Sequence, residues 1–312
     1  MARFAGIHEQ MRVVFLGTAG SWPTSERNVS AVALKRGPEV VLFDCGEGTQ
    51  RQFQRSSVSY MDVNRIFISH LHGDHFLGLS GLVQTMSMNG RETPLHVVGP
   101  SGTRDAVEAL VTVGHFKPAF QVKVQEVGDR AVVACGDYDV RARSMKHNVP
   151  ALGYALVEGQ RPGRFHKAKA LELGVPEGPM FGALQRGDDV TLPDGRVVRS
   201  ADVVGPPRAG RKVVYTGDCV PCEAAVELAQ GADVLIHDST YGPDYAEAAE
   251  YGHSTSAQAA FIAKKAGVRQ LVLTHFSARY RDVKPLLDAA RAVFPDTEAA
   301  RDLWELEVRF AE

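Results

Sequence analysis

Short apolar stretches rich in valine and isoleucine alternate along the chain with stretches whose apolar residues recur at helical spacing. Short apolar runs are typical of buried strands, and the helical spacing is typical of amphipathic helices. The segments predicted to be strands are Met11–Gly17, Val40–Asp44, Arg65–His70, His96–Gly99, Val213–Gly217, Val234–Asp238 and Leu271–His275. The segments predicted to be helices are Thr103–Val113, Cys222–Gln230, Thr255–Ala266 and Val283–Val293. This alternation predicts an α/β protein.

Several of the predicted strands end at a residue that can take part in chemistry. These residues are His70, Asp218, Asp238 and His275. A polar residue at the end of a strand lies at the rim of its sheet, where binding and catalytic sites are often built. We therefore expect a site at this rim.

The region between Tyr154 and Arg199 interrupts the alternation. Gln160–Ala170 is basic and has no acidic residue, and Gly174–Gly182 is rich in glycine and proline. The basic residues of the first part are Arg161, Arg164, Lys167 and Lys169. This composition is typical of an exposed insertion, whose charges either form a solvated face or bind phosphates.

Composition places the chain among folded globular proteins. Its 312 residues, 44% of them hydrophobic and 23% charged, are enough for roughly two domains or one large domain. A formal net charge of −2 gives no overall attraction for a polyanion, so any nucleic-acid site must be local. The four cysteines predict free thiols and a cytoplasmic location. The sequence has neither the apolar run of a secretory signal nor the ~18 apolar residues of a membrane span.

The HLHGDH sequence at residues 70–75 is the strongest chemical signal in the chain. Imidazole and carboxylate are the ligands that divalent metals prefer at hydrolytic sites, and a glycine lets an irregular loop turn successive ligands toward one point. The sequence supplies more ligands than the three that one catalytic zinc ion usually takes from a protein. It therefore suggests two metal ions.

Further candidate ligands lie at other strand ends. They are His147, Asp218 and His275. A single histidine beside an apolar run is more often a hydrogen-bonded core or surface residue than a ligand. Two metal ions need more ligands than residues 70–75 supply, however, and these three residues are of suitable types.

A set of motifs spread along nearly the whole chain resembles the ribonuclease Z family of the metallo-β-lactamase superfamily. The HLHGDH sequence alone is common to the superfamily, whereas the other motifs together are specific to this family. These motifs are FLGTAGSWPTSERNVS, FDCGEGTQRQ, KHNVPALGY, GVPEGPMFG, TGDC, HDSTY, GHSTSAQAA and THFSARY.

The resemblance implies an α/β fold of the four-layer αββα type, in which two β-rich halves face each other between outer helices. It implies one metallo-hydrolase domain over residues 1–312, with an inserted flexible arm at residues 158–186 that binds substrate. It also implies two divalent metal ions, with Zn²⁺ expected first and Mn²⁺ as the alternative. His70, His72 and His147 match the ligands of the first ion, and the ligands of the second match Asp74, His75 and His275, with Asp218 bridging both.

The resemblance also assigns catalytic roles. Asp74 matches a residue that is both a ligand and a general base. His253 matches the histidine that gives a proton to the leaving oxygen, and Asp238 the carboxylate that orients it. The family more often has glutamate at the position of Asp238, so we expect a looser or water-bridged contact with His253.

Substrate contacts are implied at two places. The arm residues Arg161, Arg164, Lys167 and Lys169 match a region that grips tRNA away from the cleavage site. Arg27 lies in PTSERN, which resembles a family loop near the substrate 3′ end, with Ser25 where the family has lysine. In the family the arm of one subunit serves its partner, so the resemblance implies a homodimer.

We therefore expect a cytoplasmic endoribonuclease that removes the 3′ trailer of precursor tRNA. The two metal ions would activate a hydroxide that attacks the phosphodiester, leaving a tRNA 3′-hydroxyl and a trailer 5′-phosphate. The alternatives are a broader phosphodiesterase or 3′ exoribonuclease of the same fold, a non-catalytic RNA-binding relative, and a di-iron redox relative. The sequence leaves open the native metal, the treatment of precursors that encode CCA, and any role of residues 1–10.

Overall fold

A computed structural model describes residues 10–311 of the chain. The expected N-terminal extension at residues 1–10 lies outside the described residues except for Gln10. Within residues 10–311, no helix is both long enough and apolar enough to cross a bilayer.

The strands are short, as the lengths of the apolar runs predict. They are β1 (Met11–Gly17), β2 (Ala19–Gly20), β3 (Ala31–Arg36), β4 (Glu39–Phe43), β5 (Val63–Phe67), β6 (Leu95–Gly99), β7 (Val122–Glu126), β8 (Val132–Ala134), β9 (Tyr138–Met145), β10 (Ala151–Glu158), β11 (Val190–Thr191), β12 (Val197–Val198), β13 (Lys212–Tyr215), β14 (Val234–Asp238), β15 (Gln270–Thr274), β16 (Phe276–Ser277), β17 (Thr297–Ala299) and β18 (Glu305–Glu307).

Helices occupy most of the longer connections between strands. They are α1 (Thr49–Arg55), α2 (Gly73–Phe76), α3 (Leu79–Met88), α4 (Thr103–Val111), α5 (Lys167–Glu172), α6 (Pro179–Arg186), α7 (Ser200–Val203), α8 (Glu223–Ala229), α9 (Ser256–Ala266) and α10 (Lys284–Arg291). Single 3₁₀ turns lie at Tyr60–Asp62 and Ala246–Ala249.

The larger of two compact units contains two seven-stranded mixed sheets. The first has the order β18-β1-β3-β4-β5-β6-β7, and the second has the order β17-β15-β14-β13-β10-β9-β8. Aromatic side chains join their facing sides, with ring centroids 5.2 Å apart for Phe67 and Tyr154 and 5.7 Å apart for Phe43 and Tyr215. Helices α1, α3 and α4 pack on the first sheet, and α9 packs on β14 and β15 of the second. The layers therefore follow the predicted αββα order.

The smaller unit comprises, among the described residues, Ala134–Asp139 and Val157–Gly210. Helices α5, α6 and α7 and the β11–β12 hairpin belong to it, and it has an apolar cluster of its own that includes Ala170, Leu184 and Val203. The predicted arm at residues 158–186 lies within this unit, which extends to Gly210. The division into one domain and an arm stays a prediction.

The predicted strands and helices are all present, with small shifts at their ends. The helix predicted at Thr103–Val113 is α4, which ends at Val111. The strand predicted at Arg65–His70 is β5, which runs from Val63 to Phe67. The sequence patterns missed several strands, among them β3, β7, β9 and β10. Strand β9 alternates buried with more exposed residues, a pattern that a search for continuous apolar runs does not find.

Candidate metal centre

The first sheet delivers four candidate ligands from one segment. Strand β5 ends at Phe67, and the chain then runs irregularly until helix α2 begins at Gly73. His72 is the extended N-cap of this short helix, and its carbonyl accepts a hydrogen bond from the His75 N–H over 2.9 Å. This tight turn brings His70, His72, Asp74 and His75 close together.

The second sheet delivers the other three candidate ligands. Asp218 follows β13 and His275 follows β15, and the strands β13, β14 and β15 are parallel, so their carboxyl ends lie at one edge. His275 has a left-handed backbone with a φ of 62°, which turns the chain sharply as it leaves the strand. His147 lies just beyond the end of β9.

The seven side chains form two adjoining groups. Ligand atoms of His70, His72, His147 and Asp218 lie within 4.8 Å of one another, and so do those of Asp74, His75 and His275. An oxygen of Asp218 reaches both groups, because Oδ2 lies 3.7 Å from His70 Nε2 and 3.3 Å from His75 Nε2. The geometry therefore brings together every ligand candidate that the sequence predicts.

Outer hydrogen bonds fix the orientation of four of the imidazoles. Each of these rings has Nδ1 within hydrogen-bond distance of an oxygen, which leaves Nε2 for the centre. The pairs are His70 with Ser69 Oγ (2.9 Å), His75 with Asp44 Oδ2 (2.7 Å), His147 with Gly252 O (2.8 Å) and His275 with Thr240 Oγ1 (2.8 Å). The Ser69 and Thr240 hydroxyls donate to Asp44 and Asp238, so their oxygens can accept from the imidazole N–H.

Asp44 is a residue of the site that the sequence analysis missed. It is fully buried and accepts hydrogen bonds from the Ser69 N–H (2.6 Å), the Ser69 hydroxyl and the Tyr215 hydroxyl (2.6 Å), besides its contact with His75. Asp44 ends the predicted strand Val40–Asp44. The signal that singled out His70 and Asp238, a polar residue at a strand end, would also have found Asp44.

The electrostatics of the centre suit cations. Burial, together with the neighbouring His75, holds the pKa of His70 well below its usual range, so this ring is neutral and has a lone pair for a metal. Burial opposes the charge of Asp218, but His275 and His75 hold the pKa of this carboxyl well below its usual range. Asp218 Oδ1 is buried and has no hydrogen-bond donor among the described residues. A carboxylate oxygen in this position, with imidazole nitrogens around it, fits a divalent cation.

His253 and Asp238 form a pair beside the centre. His253 Nδ1 lies 3.0 Å from Asp238 Oδ2, a direct contact where the shorter aspartate led us to expect a looser or water-bridged one. Asp238 is held in place by the N–H groups of Thr240 (2.9 Å) and Cys219 (3.1 Å). Burial disfavours the charged imidazole, but Asp238 outweighs it and raises the pKa of His253 to about 9. The His253 ring lies 5.2 Å from that of His275, centroid to centroid.

The loop that contains Arg27 lies against the centre. The Ser21 N–H donates to Asp74 Oδ2 over 2.8 Å, so this loop helps to orient a candidate ligand. Arg27 is half-buried, donates to the Tyr280 carbonyl over 3.2 Å and lies 5.5 Å from the centroid of the Phe276 ring. Arg27 therefore fixes the loop in addition to any contact with substrate.

The four basic residues predicted to bind substrate lie in the smaller unit. Arg161 is half-buried and its Nε donates to the Ala209 carbonyl, whereas Arg164 and Lys169 are exposed. Lys167 is exposed and forms an ion pair of 2.8 Å with Glu177. Arg164 and Lys169 thus have the most accessible charges of the four.

Two facing mixed sheets between helices, with histidines and aspartates clustered at one edge, define the metallo-β-lactamase fold class. The family model described as "Beta-lactamase superfamily domain" matches residues 200–276, and the one described as "Anti-Pycsar protein Apyc1" matches residues 11–108. The solved structure of human tRNase Z, short form, is 28% identical with a TM-score of 0.70, over 96% of this chain and 100% of that one.

Full-length relatives define the family within this class. The chain is 49% identical over 302 residues to ribonuclease Z of Methanosarcina acetivorans. This alignment covers 96% of this chain and 99% of that protein. It is 50% identical over 307 residues to ribonuclease Z of Haloferax volcanii. This alignment covers 97% of this chain and 96% of that protein. The chain belongs to the ribonuclease Z family.

Proposed function

We propose that this protein is an endoribonuclease that removes the 3′ trailer from precursor tRNA and leaves a 3′-hydroxyl on the tRNA and a 5′-phosphate on the trailer. One observation supports the proposal most strongly. A carboxylate oxygen of Asp218 lies near both groups of candidate metal ligands, in a chain that is about 50% identical to proteins named ribonuclease Z.

We propose that two divalent metal ions, Zn²⁺ or else Mn²⁺, bind at this centre. Two such ions activate a water molecule and stabilise negative charge on a phosphoryl group during displacement. The nitrogen and oxygen donors at the centre suit either metal. The first ion would be held by His70, His72 and His147, the second by Asp74, His75 and His275, and Asp218 would be shared.

The chain's own groups would handle the protons. Asp74 Oδ2 is oriented by the Ser21 N–H, and its carboxylate can accept a proton from the attacking water. His253, oriented by Asp238, would donate a proton to the leaving oxygen of the RNA. This division of roles is the usual one for general base and general acid in phosphodiester hydrolysis.

Binding of tRNA would draw on charges away from the centre. Arg161, Arg164, Lys167 and Lys169 of the smaller unit would contact phosphates, and Arg27 would contact RNA near the cleavage site. We also propose a homodimer, as in the family, and a cytoplasmic location, which agrees with the four free cysteines.

The test is cleavage of a precursor tRNA that lacks CCA and has a 3′ trailer, in the presence of Zn²⁺ or Mn²⁺, with products mapped to the nucleotide. We expect one cut after the discriminator nucleotide, with the trailer released whole, and no cut by Asp74→Ala. Stepwise shortening of the trailer would instead indicate an exoribonuclease. Hydrolysis of bis(p-nitrophenyl) phosphate without cleavage of the precursor would contradict the assigned substrate and leave a phosphodiesterase.

A further inference from the structure

Four side chains next to His253 form a stacked group that we call the tyrosine shelf: Tyr241, Tyr245, Tyr251 and Arg279. The Tyr241 and Tyr245 rings are stacked with their centroids 4.2 Å apart, and the Tyr251 ring lies 6.4 Å from Tyr245. The Arg279 guanidinium lies over two of the rings, 4.4 Å from the centroid of Tyr245 and 5.0 Å from that of Tyr241.

The tyrosine shelf extends from the metal centre to solvent. At its inner end, the buried Tyr241 ring lies 5.9 Å from the His253 ring, edge to face. At its outer end, Arg279 is exposed and Tyr251 has 54% of its surface exposed. An exposed aromatic ring next to a candidate catalytic site offers a face on which a planar ligand can stack.

Backbone hydrogen bonds fix the inner end of the shelf. The Tyr241 N–H donates to the Ser254 carbonyl (3.3 Å), and the Tyr241 carbonyl accepts from the Ser256 N–H (2.9 Å). The Gly242 N–H donates to the Tyr280 hydroxyl over 2.9 Å. A ligand that stacks on a surface already in place does not have to order it, which favours binding.

Exposed carboxylates lie beside the shelf, and the one cation of the shelf, Arg279, already stacks on Tyr241 and Tyr245. The segment that carries the tyrosines also contains Asp244, Glu247 and Glu250, all exposed, and these carboxylates repel phosphates. Aromatic faces and arginine planes stack on unpaired bases of any sequence. The shelf therefore matches the face of a base better than it matches the RNA backbone.

We propose that the tyrosine shelf binds the base of an unpaired nucleotide next to the scissile phosphodiester. The inference rests on the proposed function, because the junction between a tRNA and its trailer is single-stranded. Stacking there would keep the flanking nucleotide out of the RNA helix and hold the phosphodiester in register with His253 and the metal ligands.

The test compares two precursor RNAs, one intact and one with abasic residues at the unpaired positions on either side of the cut. Affinities are measured by fluorescence anisotropy in the Asp74→Ala protein at one fixed Zn²⁺ concentration, so that cleavage does not interfere. We expect Tyr251→Ala to weaken binding of the intact RNA by about fivefold to 100-fold and to leave binding of the abasic RNA unchanged. Tyr251→Phe should retain the affinity for the intact RNA. Phe261→Ala removes an equally exposed aromatic ring on α9 and should have no effect on either RNA.

Two results would overturn the shelf. One is unchanged affinity in Tyr251→Ala, and the other is an equal loss of affinity for both RNAs, which would mean that the ring supports the fold or the backbone path. Cleavage by the protein with Asp74 intact reports separately on the proposed function. If binding depends on Tyr251 but the RNA is not cut at the trailer junction, base binding by the shelf is supported and the endonuclease function is contradicted. If the RNA is cut there but binding does not depend on Tyr251, the endonuclease function is supported and base binding by the shelf is contradicted.

Discussion

The two ring nitrogens of each oriented histidine face different surroundings. Nδ1 contacts a fixed oxygen, and Nε2 points toward the other candidate ligands, as for His75 with Asp44 on one side and Asp218 on the other. Removing the outer partner would free the ring to rotate, so we expect residues such as Asp44 and Thr240 to affect metal affinity without contacting the metal.

At the residue scale, the proton-donor role of His253 gives a test with two substrates. His253→Ala should lose about 10²–10⁴-fold in kcat on precursor tRNA, because the ribose oxygen is a poor leaving group without a proton. It should lose much less on bis(p-nitrophenyl) phosphate, whose leaving group needs no proton. Metal content, measured on the purified variant, should match that of the unmodified protein.

Equal losses on the two substrates would speak against proton donation by His253. A loss of bound metal would instead indicate that His253 is a ligand, because its ring also lies in a group with Asp218 and His275.

The ligand candidates could be read from the sequence because they cluster at residues 70–75 and lie at strand ends. The outer partners were harder to find. Ser69 and Thr240 are common residue types with no spacing that marks them, and the Gly252 carbonyl is a backbone group that any residue could supply. The direct contact of Asp238 with His253 depends on how the backbone approaches, which side-chain length alone does not determine.

Helix α9 supports the segment that holds His253. Its N-cap, Thr255, accepts a hydrogen bond from the Gln258 N–H, and the Gln258 side chain accepts one from the Thr255 N–H over 2.9 Å, which completes a capping box. Gly267 ends the helix in a left-handed conformation with a φ of 62°. The helix start therefore fixes the backbone two residues after the proposed proton donor.

At the scale of the element, removing this cap should lower stability more than activity. Thr255→Ala is expected to reduce the free energy of unfolding by about 1 kcal/mol, measured by urea denaturation, and Thr255→Ser should retain most of it. Because Asp238 also orients His253, kcat should change by only a small factor. A large fall in kcat at unchanged stability would show that the cap controls the site and not the helix.

Strands with a short continuous apolar run were predicted nearly to the residue, as β1 and β14 show. The missed strands lie where the pattern is mixed. Strand β7 has no buried residue, and β10 is almost wholly buried, contains a glycine and gives no alternation to distinguish strand from helix. Pairing with neighbouring strands, which a local pattern does not contain, decides their conformation.

At the scale of the whole molecule, the candidate metal ligands and the basic residues predicted to bind RNA belong to different units. The candidate ligands lie in the larger unit, whereas Arg164 and Lys169 lie in the smaller one, which has its own apolar cluster. A net charge of −2 over the chain means that local charges of this kind must provide the attraction for RNA.

At the scale of the whole molecule, the double variant Arg164→Gln and Lys169→Gln should weaken binding of precursor tRNA and make it less sensitive to salt. For each phosphate that the protein no longer neutralises, the slope of log affinity against log salt should fall by about 0.7–0.9. Hydrolysis of bis(p-nitrophenyl) phosphate should be unchanged.

A matched control for that variant is Lys264→Gln with Arg309→Gln, which removes two exposed charges from the larger unit. The same fall in affinity in the control would assign the effect to overall charge and not to the smaller unit.

Because His70, His72 and His75 come from the first sheet and His147, Asp218 and His275 from the second, ions bound among them would tie the two sheets together. Binding to the native state alone adds about 2.7 kcal/mol when free metal is 100 times its dissociation constant. A gain of that size is a sizeable share of a domain's stability. In a cell short of metal, we therefore expect the protein to lose catalytic activity and also to be degraded faster by proteases. Metal supply would then control its abundance.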